Sequence, residues 1–425
     1  MKANENPEEN EIIELVDNLK NNNINSLISK ATELISNYPN SYVLLSILAA
    51  GYTKIADHEK AILSYQKAIK LNSEIKELYI NLGESYIQLK KFQSALDNYS
   101  LASNIDPNCD ITFTKLGVAH GELNNLEKAK SCLLKALKIN PNNLESRFNL
   151  GMIKLKLLDY AEALIDFDLV NSKRSRFYSL ICLHALKKYE EFEFRIKKNI
   201  NVDKKNIRVS SVSNFFSQHT NRLNYHNFCK NPFDFIFQKN IKDTYSQSNL
   251  SLIDLINEIE KLSSLYNPYG KASINGTQTN GNLFDYNLPN IKILKKNITK
   301  LIQEYYSKYS NSNNDMIKLW PKDINIFGWS VTLFENGFQN PHIHPSGWIS
   351  GVAYLNILEK EEPPNGAIQF SFNDGKYFSD DNNKTPLKTI NPKIGDVILF
   401  PSSLYHRTIP TKFSGRMVVA FDLLQ

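Results

Sequence analysis

Three histidines and one arginine toward the C-terminal end have the types and spacing to do chemistry. His342 and His344 stand at i and i+2 in PHIHPSG, and His406 closes the run GDVILFPSSLYH. Arg416 follows ten residues after His406, at the start of RMVVAFDLL. Residues at i and i+2 on a strand face the same way, so His342 and His344 can converge on one point. A third imidazole from a distant strand can then complete one face of an octahedral metal site. Such a face leaves positions open for a bidentate cosubstrate and for oxygen. Non-haem Fe(II) oxygenases usually build it from two His and one carboxylate. An Arg one strand beyond the distal His can grip the far end of a dicarboxylate with its two-pronged guanidinium. The remaining histidines, His58, His120, His184, His219 and His226, stand alone and read as structural.

The set H-x-H, then GDVILFPSSLYH, then Arg at plus ten resembles the 2-oxoglutarate/Fe(II) dioxygenase superfamily. Within it, NPHIHPSGWISGVAYLNI is similar to an oxygenase family of bacteria and phages that is sometimes joined to tetratricopeptide repeats. The resemblance covers residues 320–425 well and 225–319 loosely, where GTQTNGNLF is the most family-like patch. It implies a double-stranded β-helix (jelly roll), Fe(II) as the metal, 2-oxoglutarate as cosubstrate and O2 as oxidant. It also implies His342 as the first ligand, His406 as the distal ligand and Arg416 on the C5 carboxylate, with Tyr354 in reach of that carboxylate. As a strand tyrosine, Tyr354 has core packing as its other reading. The superfamily usually carries Asp or Glu where this chain has His344. Three readings follow. His344 replaces the carboxylate in a three-His site, or iron keeps only two protein ligands, or His344 is a ligand and His342 stands behind it. A neutral ligand set would leave the iron more positive.

The elements that must position these residues come next. After residue 320, strand-like runs alternate with turns: INIFGWSVTLFENG, GWISGVAYLNIL, GAIQFSF, GDVILFP and GRMVVAFDLL. Short strands at this spacing predict a β-sandwich or barrel. Gly347 and Gly351 read as turn or close-packing residues, and Asp380 and Asp381 as a solvated loop that could rim the mouth. Helices are expected at 250–264 and 288–308.

Ahead of this region the chain repeats itself. Alanines recur 34 apart at Ala61, Ala95, Ala129 and Ala163, with a second series at Ala68, Ala102 and Ala136. Leu48, Leu82, Leu116 and Leu150, each followed by Ala or Gly, keep the same period. The pattern resembles the tetratricopeptide repeat, a helix pair that cannot bury its apolar face alone and must stack. Four clear units span about 40–172. A degenerate half-unit lies at 24–39 and a decayed one at 174–200. The expected division is an α-solenoid over 1–205, a polar connector over 206–224 and an oxygenase-like β-helix domain with flanking helices over 225–425.

Composition narrows the class. The charge is +6 from 50 basic and 44 acidic residues, with no long Lys/Arg block, so neither nucleic acid nor a membrane surface is an expected partner. Cys109, Cys132, Cys182 and Cys229 form no C-x-x-C pair, which argues against a disulfide framework or a cysteine metal site. No apolar run reaches eighteen residues and the N-terminus is polar and acidic, so a cytoplasmic location is expected. The resulting expectation is an iron- and 2-oxoglutarate-dependent hydroxylase whose repeats recruit a peptide or protein. Two rivals stand against it: a non-catalytic repeat protein with a degenerate barrel, and a cupin-like three-His dioxygenase without 2-oxoglutarate. An inward-facing Arg416 favours the first reading over both.

Overall fold

A computed structural model describes residues 7–240, 252–357, 362–373, 375 and 386–425. Asp380 and Asp381 lie outside the described residues. The chain divides into two compact units, Met1–Val170 and Asn171–Gln425.

The first unit is a helical solenoid of five pairs among the described residues, from α1 (Glu9–Lys20) and α2 (Ile24–Asn37) to α9 (Leu144–Lys156) and α10 (Tyr160–Val170). Its periodicity has a packing cause. Ala61, Ala95, Ala129 and Ala163, and likewise Ala68, Ala102 and Ala136, are fully buried where neighbouring helices approach. A Cβ added at Gly83 would lie 2.4 Å from the ring of Tyr99, and one at Gly151 would lie 2.8 Å from that of Phe167. Bare backbone on one helix therefore seats a ring of the next. Between the helices of each pair one residue takes a left-handed conformation: Asn22, Ala56, Lys90, Asn124 and Leu158. These positions are again 34 apart. Asn22 makes α1 and α2 a whole pair where only a half-unit was expected. The first helix was illegible because Leu15 is its one fully buried side chain and no small-residue column marks it.

The second unit begins with α11 (Lys173–Ala185), α12 (Tyr189–Lys198) and α13 (Ile207–Thr220). The first two are the decayed repeat. The third occupies the expected connector, which is thus a largely buried helix and not an open linker. Its sequence reads as polar because its buried surface includes Ser210, Ser211, Ser213 and Asn214 alongside Val209, Val212, Phe215 and Phe216. Two of these groups are paired, Ser211 Oγ donating to the Arg208 carbonyl and Asn214 Nδ2 to the Cys229 carbonyl, whereas the Ser210 and Ser213 hydroxyls have no partner among the described residues.

Ten strands follow among the described residues, all paired antiparallel: β1 (Phe237–Asn240), β2 (Ser264–Tyr266), β3 (Ser273–Thr279), β4 (Ile326–His342), β5 (Gly347–Asn356), β6 (Ile368–Ser371), β7 (Lys388–Ile390), β8 (Asp396–Pro401), β9 (Tyr405–Thr408) and β10 (Arg416–Leu424). Their order is β1-β8-β5-β10-β4-β9-β6-β7, with β3 also on β4 and β2 beyond it. The sheet curls because β4 changes partners along its length. Ile326 to Leu333 pair with β10, whereas Gln339 and His342 pair with β9. The bend between them falls at Asn336 and Gly337. Asn336 has φ of 59°, and a Cβ on Gly337 would lie 2.5 Å from the Asn275 carbonyl oxygen. Thr411 pins the bend, donating its amide to Gly337 O and its hydroxyl to Phe334 O. The result is the jelly-roll-like architecture expected.

Alternation along the strands then sorts side chains. On β10, Met417, Val419, Phe421 and Leu423 join the outer core. There they meet Ile291, Leu294, Ile298, Leu301 and Ile302 of the long helix Pro289–Tyr309. Val418 faces the other way, into an inner cluster with Val331, Leu333, Tyr354, Phe370 and Phe400. Arg416, Ala420 and Asp422 share its face.

Candidate metal centre

His342 ends β4 and His406 lies on β9, and the two are register partners across the ladder. His344 stands two residues beyond His342 in a tight turn, closed by Gly347 N–H donating to His344 O (3.0 Å). His344 N–H donates to Ser402 O (3.2 Å), which ties that turn to the end of β8. The ring centroids are 4.3 Å apart for His342 and His406, 4.8 Å for His344 and His406, and 5.1 Å for His342 and His344. One ligand atom from each lies within 4.8 Å of the others. Bonds of about 2.1 Å to a shared ion require these atoms to close by roughly 1–2 Å, within the reach of side-chain torsions.

The hydrogen bonds decide which nitrogens face the centre. His342 Nδ1 is 2.7 Å from Asn340 O, and His406 Nδ1 is 3.2 Å from Leu404 O. His344 Nδ1 is 2.6 Å from Asp422 Oδ1. Carbonyl and carboxylate oxygens can only accept, so each Nδ1 carries the proton and each Nε2 keeps a free lone pair. Neutral imidazoles with Nδ1–H donated outward are the form that metal-binding histidines take. The surroundings hold His342 and His406 neutral. Burial and then the adjacent His344 push His342 down to about 3. Burial, His342 and His344 hold His406 well below the usual range. Phe400 packs against His406 at 4.6 Å and Trp329 against His344 at 5.4 Å, forming apolar walls. The donor set thus fits a divalent transition metal.

The carboxylate missing from the third position stands one hydrogen bond further out. Asp422 accepts from His344 and from Ser350 Oγ (2.7 Å), and Ser350 Oγ is 2.8 Å from Ser402 Oγ. Negative charge therefore reaches the centre through an imidazole and not through a direct bond. Gly347 is a close-packing residue here, since a Cβ on it would lie 2.6 Å from Ser402 Oγ. Sequence reasoning missed Asp422, Ser350 and Ser402. The available signal was one acid in an otherwise apolar strand, at Arg416 plus six and hence on the same face.

Arg416 and Tyr354 form a second group on that interior face. Arg416 is 3% exposed, and its Nε donates to Gly366 O (3.1 Å). Its guanidinium carbon is 5.2 Å from the centre of the Tyr354 ring. The Tyr354 hydroxyl is buried beside it without a well-formed hydrogen bond to the described residues. Burial pushes that hydroxyl up to about 12, with the Arg416 charge acting in the opposite direction. A buried cation with a phenol at its side is a fit for a carboxylate.

Comparison with known proteins agrees with both halves. Residues 328–422 match the family described as "Putative 2OG-Fe(II) oxygenase". Residues 48–75, 76–109, 112–143 and 132–165 match tetratricopeptide repeat families. Among curated relatives, mouse tetratricopeptide repeat protein 12 is 36% identical over 85 residues, covering 20% of this chain and 12% of that protein. The bovine BBSome complex member BBS4 is 35% identical over 119 residues, covering 28% and 23%. The chain therefore spans less than a quarter of the length of these relatives. Among solved structures, MamA is 19% identical with a TM-score of 0.34, covering 41% of this chain and 95% of that one. No described helix is long and apolar enough to cross a membrane. With a histidine cluster inside the matched strands and helix pairs ahead of them, the chain carries a domain of the 2OG-Fe(II) oxygenase family at residues 328–422 behind an N-terminal array of tetratricopeptide repeats.

Proposed function

We propose that this protein is an Fe(II)- and 2-oxoglutarate-dependent hydroxylase. In this reading His342, His344 and His406 hold the metal, and the region 225–425 is the catalytic part. The repeats of 1–205 recruit a peptide or protein, as solenoid surfaces commonly do. One observation carries the proposal: three imidazoles stand close enough to share one ion while oxygen acceptors engage each Nδ1, and a buried arginine lies on the same interior face. When bound, iron and 2-oxoglutarate supply the oxidising chemistry that activates O2 against a C–H bond.

The chain's own residues do the rest. Arg416, with Tyr354, binds the C5 carboxylate and so orients the cosubstrate along the barrel. Asp422 and Ser350 fix the ring of His344. Phe400, Phe370 and Trp329 exclude water from the centre. The inward Arg416 supports this reading over a degenerate barrel or a cupin-like enzyme, neither of which has a use for a buried remote cation. The test is anaerobic titration of Fe(II)-loaded protein with 2-oxoglutarate, read by the weak visible charge-transfer absorption of the chelate. The expected outcome is a band lost in His406→Ala and shifted to much higher cosubstrate concentration in Arg416→Ala. Iron binding without a band would leave the cupin-like reading. Binding of neither would end the enzyme reading.

A further inference from the structure

The turn that carries His344 does a second thing. Its tip, Pro345 and Ser346, forms part of the wall of a cavity of about 410 Å³ whose other lining residues are Lys173, Arg174, Asn206, Arg208, Leu424 and Gln425. Three cationic side chains and no acidic side chain line it. They come from two places: Lys173 and Arg174 open α11, and Arg208 lies in the first turn of α13. Asn206 caps α13 and donates its side-chain amide to Lys173 O (2.9 Å), which holds the two helix starts together. Both helices thus turn their amide ends, and the partial positive charge those ends carry, toward one space. The nearby acid is already engaged, since Asp203 accepts from Arg176 at 2.6 to 3.1 Å. Burial holds the Lys173 ammonium below its usual range, with Asp203 opposing that shift and Arg176, Lys205 and Arg208 adding to it.

Two stretches of backbone run from this cavity toward the histidine cluster. Ser346 is two residues from His344, so their Cα atoms are at most about 7 Å apart. Leu424 is two residues beyond Asp422, on the same strand face. We infer that the cavity seats an anionic group of the substrate, a carboxylate or a phosphate, while the group to be hydroxylated lies at the histidines. The volume falls in the range of ordinary ligand sites. This assignment rests on the oxygenase reading above and adds the charge class of its substrate.

The experiment uses the full chain loaded with Fe(II) and 2-oxoglutarate under nitrogen. The probes are a labelled ten-residue glutamate-rich peptide, its glutamine counterpart and inorganic phosphate, followed by fluorescence anisotropy at low and high salt. The expected result is at least tenfold tighter binding of the glutamate peptide, displaced by phosphate and weakened by salt. In the Lys173→Gln/Arg208→Gln variant that preference should disappear while the far-ultraviolet helical signal is retained. Arg174→Gln alone, on the exposed rim, should give an intermediate loss if folding of the double variant fails. Equal binding of the two peptides overturns the inference, as does an unchanged preference in the variants. Phosphate binding with no gain for the peptide overturns it too, because the seat would then serve a free anion only. The cosubstrate band of the wild-type protein, read in the same sample, separates this failure from failure of the oxygenase reading.

Discussion

Asp422→Asn tests whether His344 is a ligand and whether the displaced carboxylate matters. Asp422 is 7% exposed and His344 8%, and their 2.6 Å contact is the shortest hydrogen bond at the centre. The amide is isosteric, so its oxygen can still accept from His344 Nδ1 and Ser350 Oγ. What it removes is the negative charge behind the imidazole. Partners in this position are typically worth about 10–100-fold in metal affinity, or roughly 1.4–2.7 kcal/mol. Because geometry is kept, about tenfold is expected for Asp422→Asn. About a hundredfold is expected for Asp422→Ala, which also loosens the ring and leaves Ser350 Oγ, at 3.0 Å, as the remaining partner of its Nδ1. The assay is anaerobic Fe(II) titration against a competing chromophoric chelator, with Co(II) as a second, air-stable probe. Wild-type affinity in both Asp422 variants and in His344→Ala would refute the reasoning and return the centre to two protein ligands.

Other outcomes follow from the same coordinates. In the unfolded chain His342 and His406 titrate near 6.5, but in the fold His342 is held at about 3 and His406 well below its usual range. The folded metal-free protein therefore binds fewer protons in acid. Stability present above pH 6.5 should fall as pH drops from 6.5 toward 3, by up to about 1.4 kcal/mol per unit per histidine. Denaturation midpoints that stay flat over this window would contradict it. Leu158 sits at φ of 64° and is 60% exposed. Leu158→Gly should thus relieve about 1–2 kcal/mol of left-handed strain, less glycine's extra unfolded entropy. A net gain of about 0.5–1 kcal/mol should appear as a raised Tm. Gly351→Ala should cost about 1–3 kcal/mol by overpacking, since the new Cβ would lie 2.2 Å from Phe421 Cζ and 2.7 Å from Leu399 Cδ2. Chemical denaturation reads this directly. Burial pushes the Cys229 thiol far up, and the residue is 0% exposed. It should therefore stay unlabelled by a thiol reagent until the protein unfolds, whereas the partly exposed Cys132 reacts in the native state.

Much of this molecule is written locally. The 34-residue alanine and glycine columns specify helix pairs because small residues are needed wherever two backbones approach, a demand that each repeat makes by itself. The runs that became β4, β5, β6, β8 and β10 were legible because buried strands are continuous and apolar. H-x-H with a distal His and an Arg at plus ten nominated a candidate metal centre, although His344 reaches it from the turn after β4 and not along the strand.

Other features depended on partners distant in sequence. The burial of α13 was hidden because its serines and Asn214 look solvated in the sequence, and only the fold covers them. Strands β1, β2, β7 and β9 are only three or four residues long and β3 is largely polar, so their residues gain strand character only from the ladders they join. The sequence could not say which acid stands behind His344. That answer lies 78 residues away in Asp422, which reaches the His344 ring only because β4 bends at Gly337 and β10 is drawn between β4 and β5. Spacing can nominate ligands, but only closure of the sheet decides which acceptor stands behind each ring, and so which nitrogen is left to face the metal.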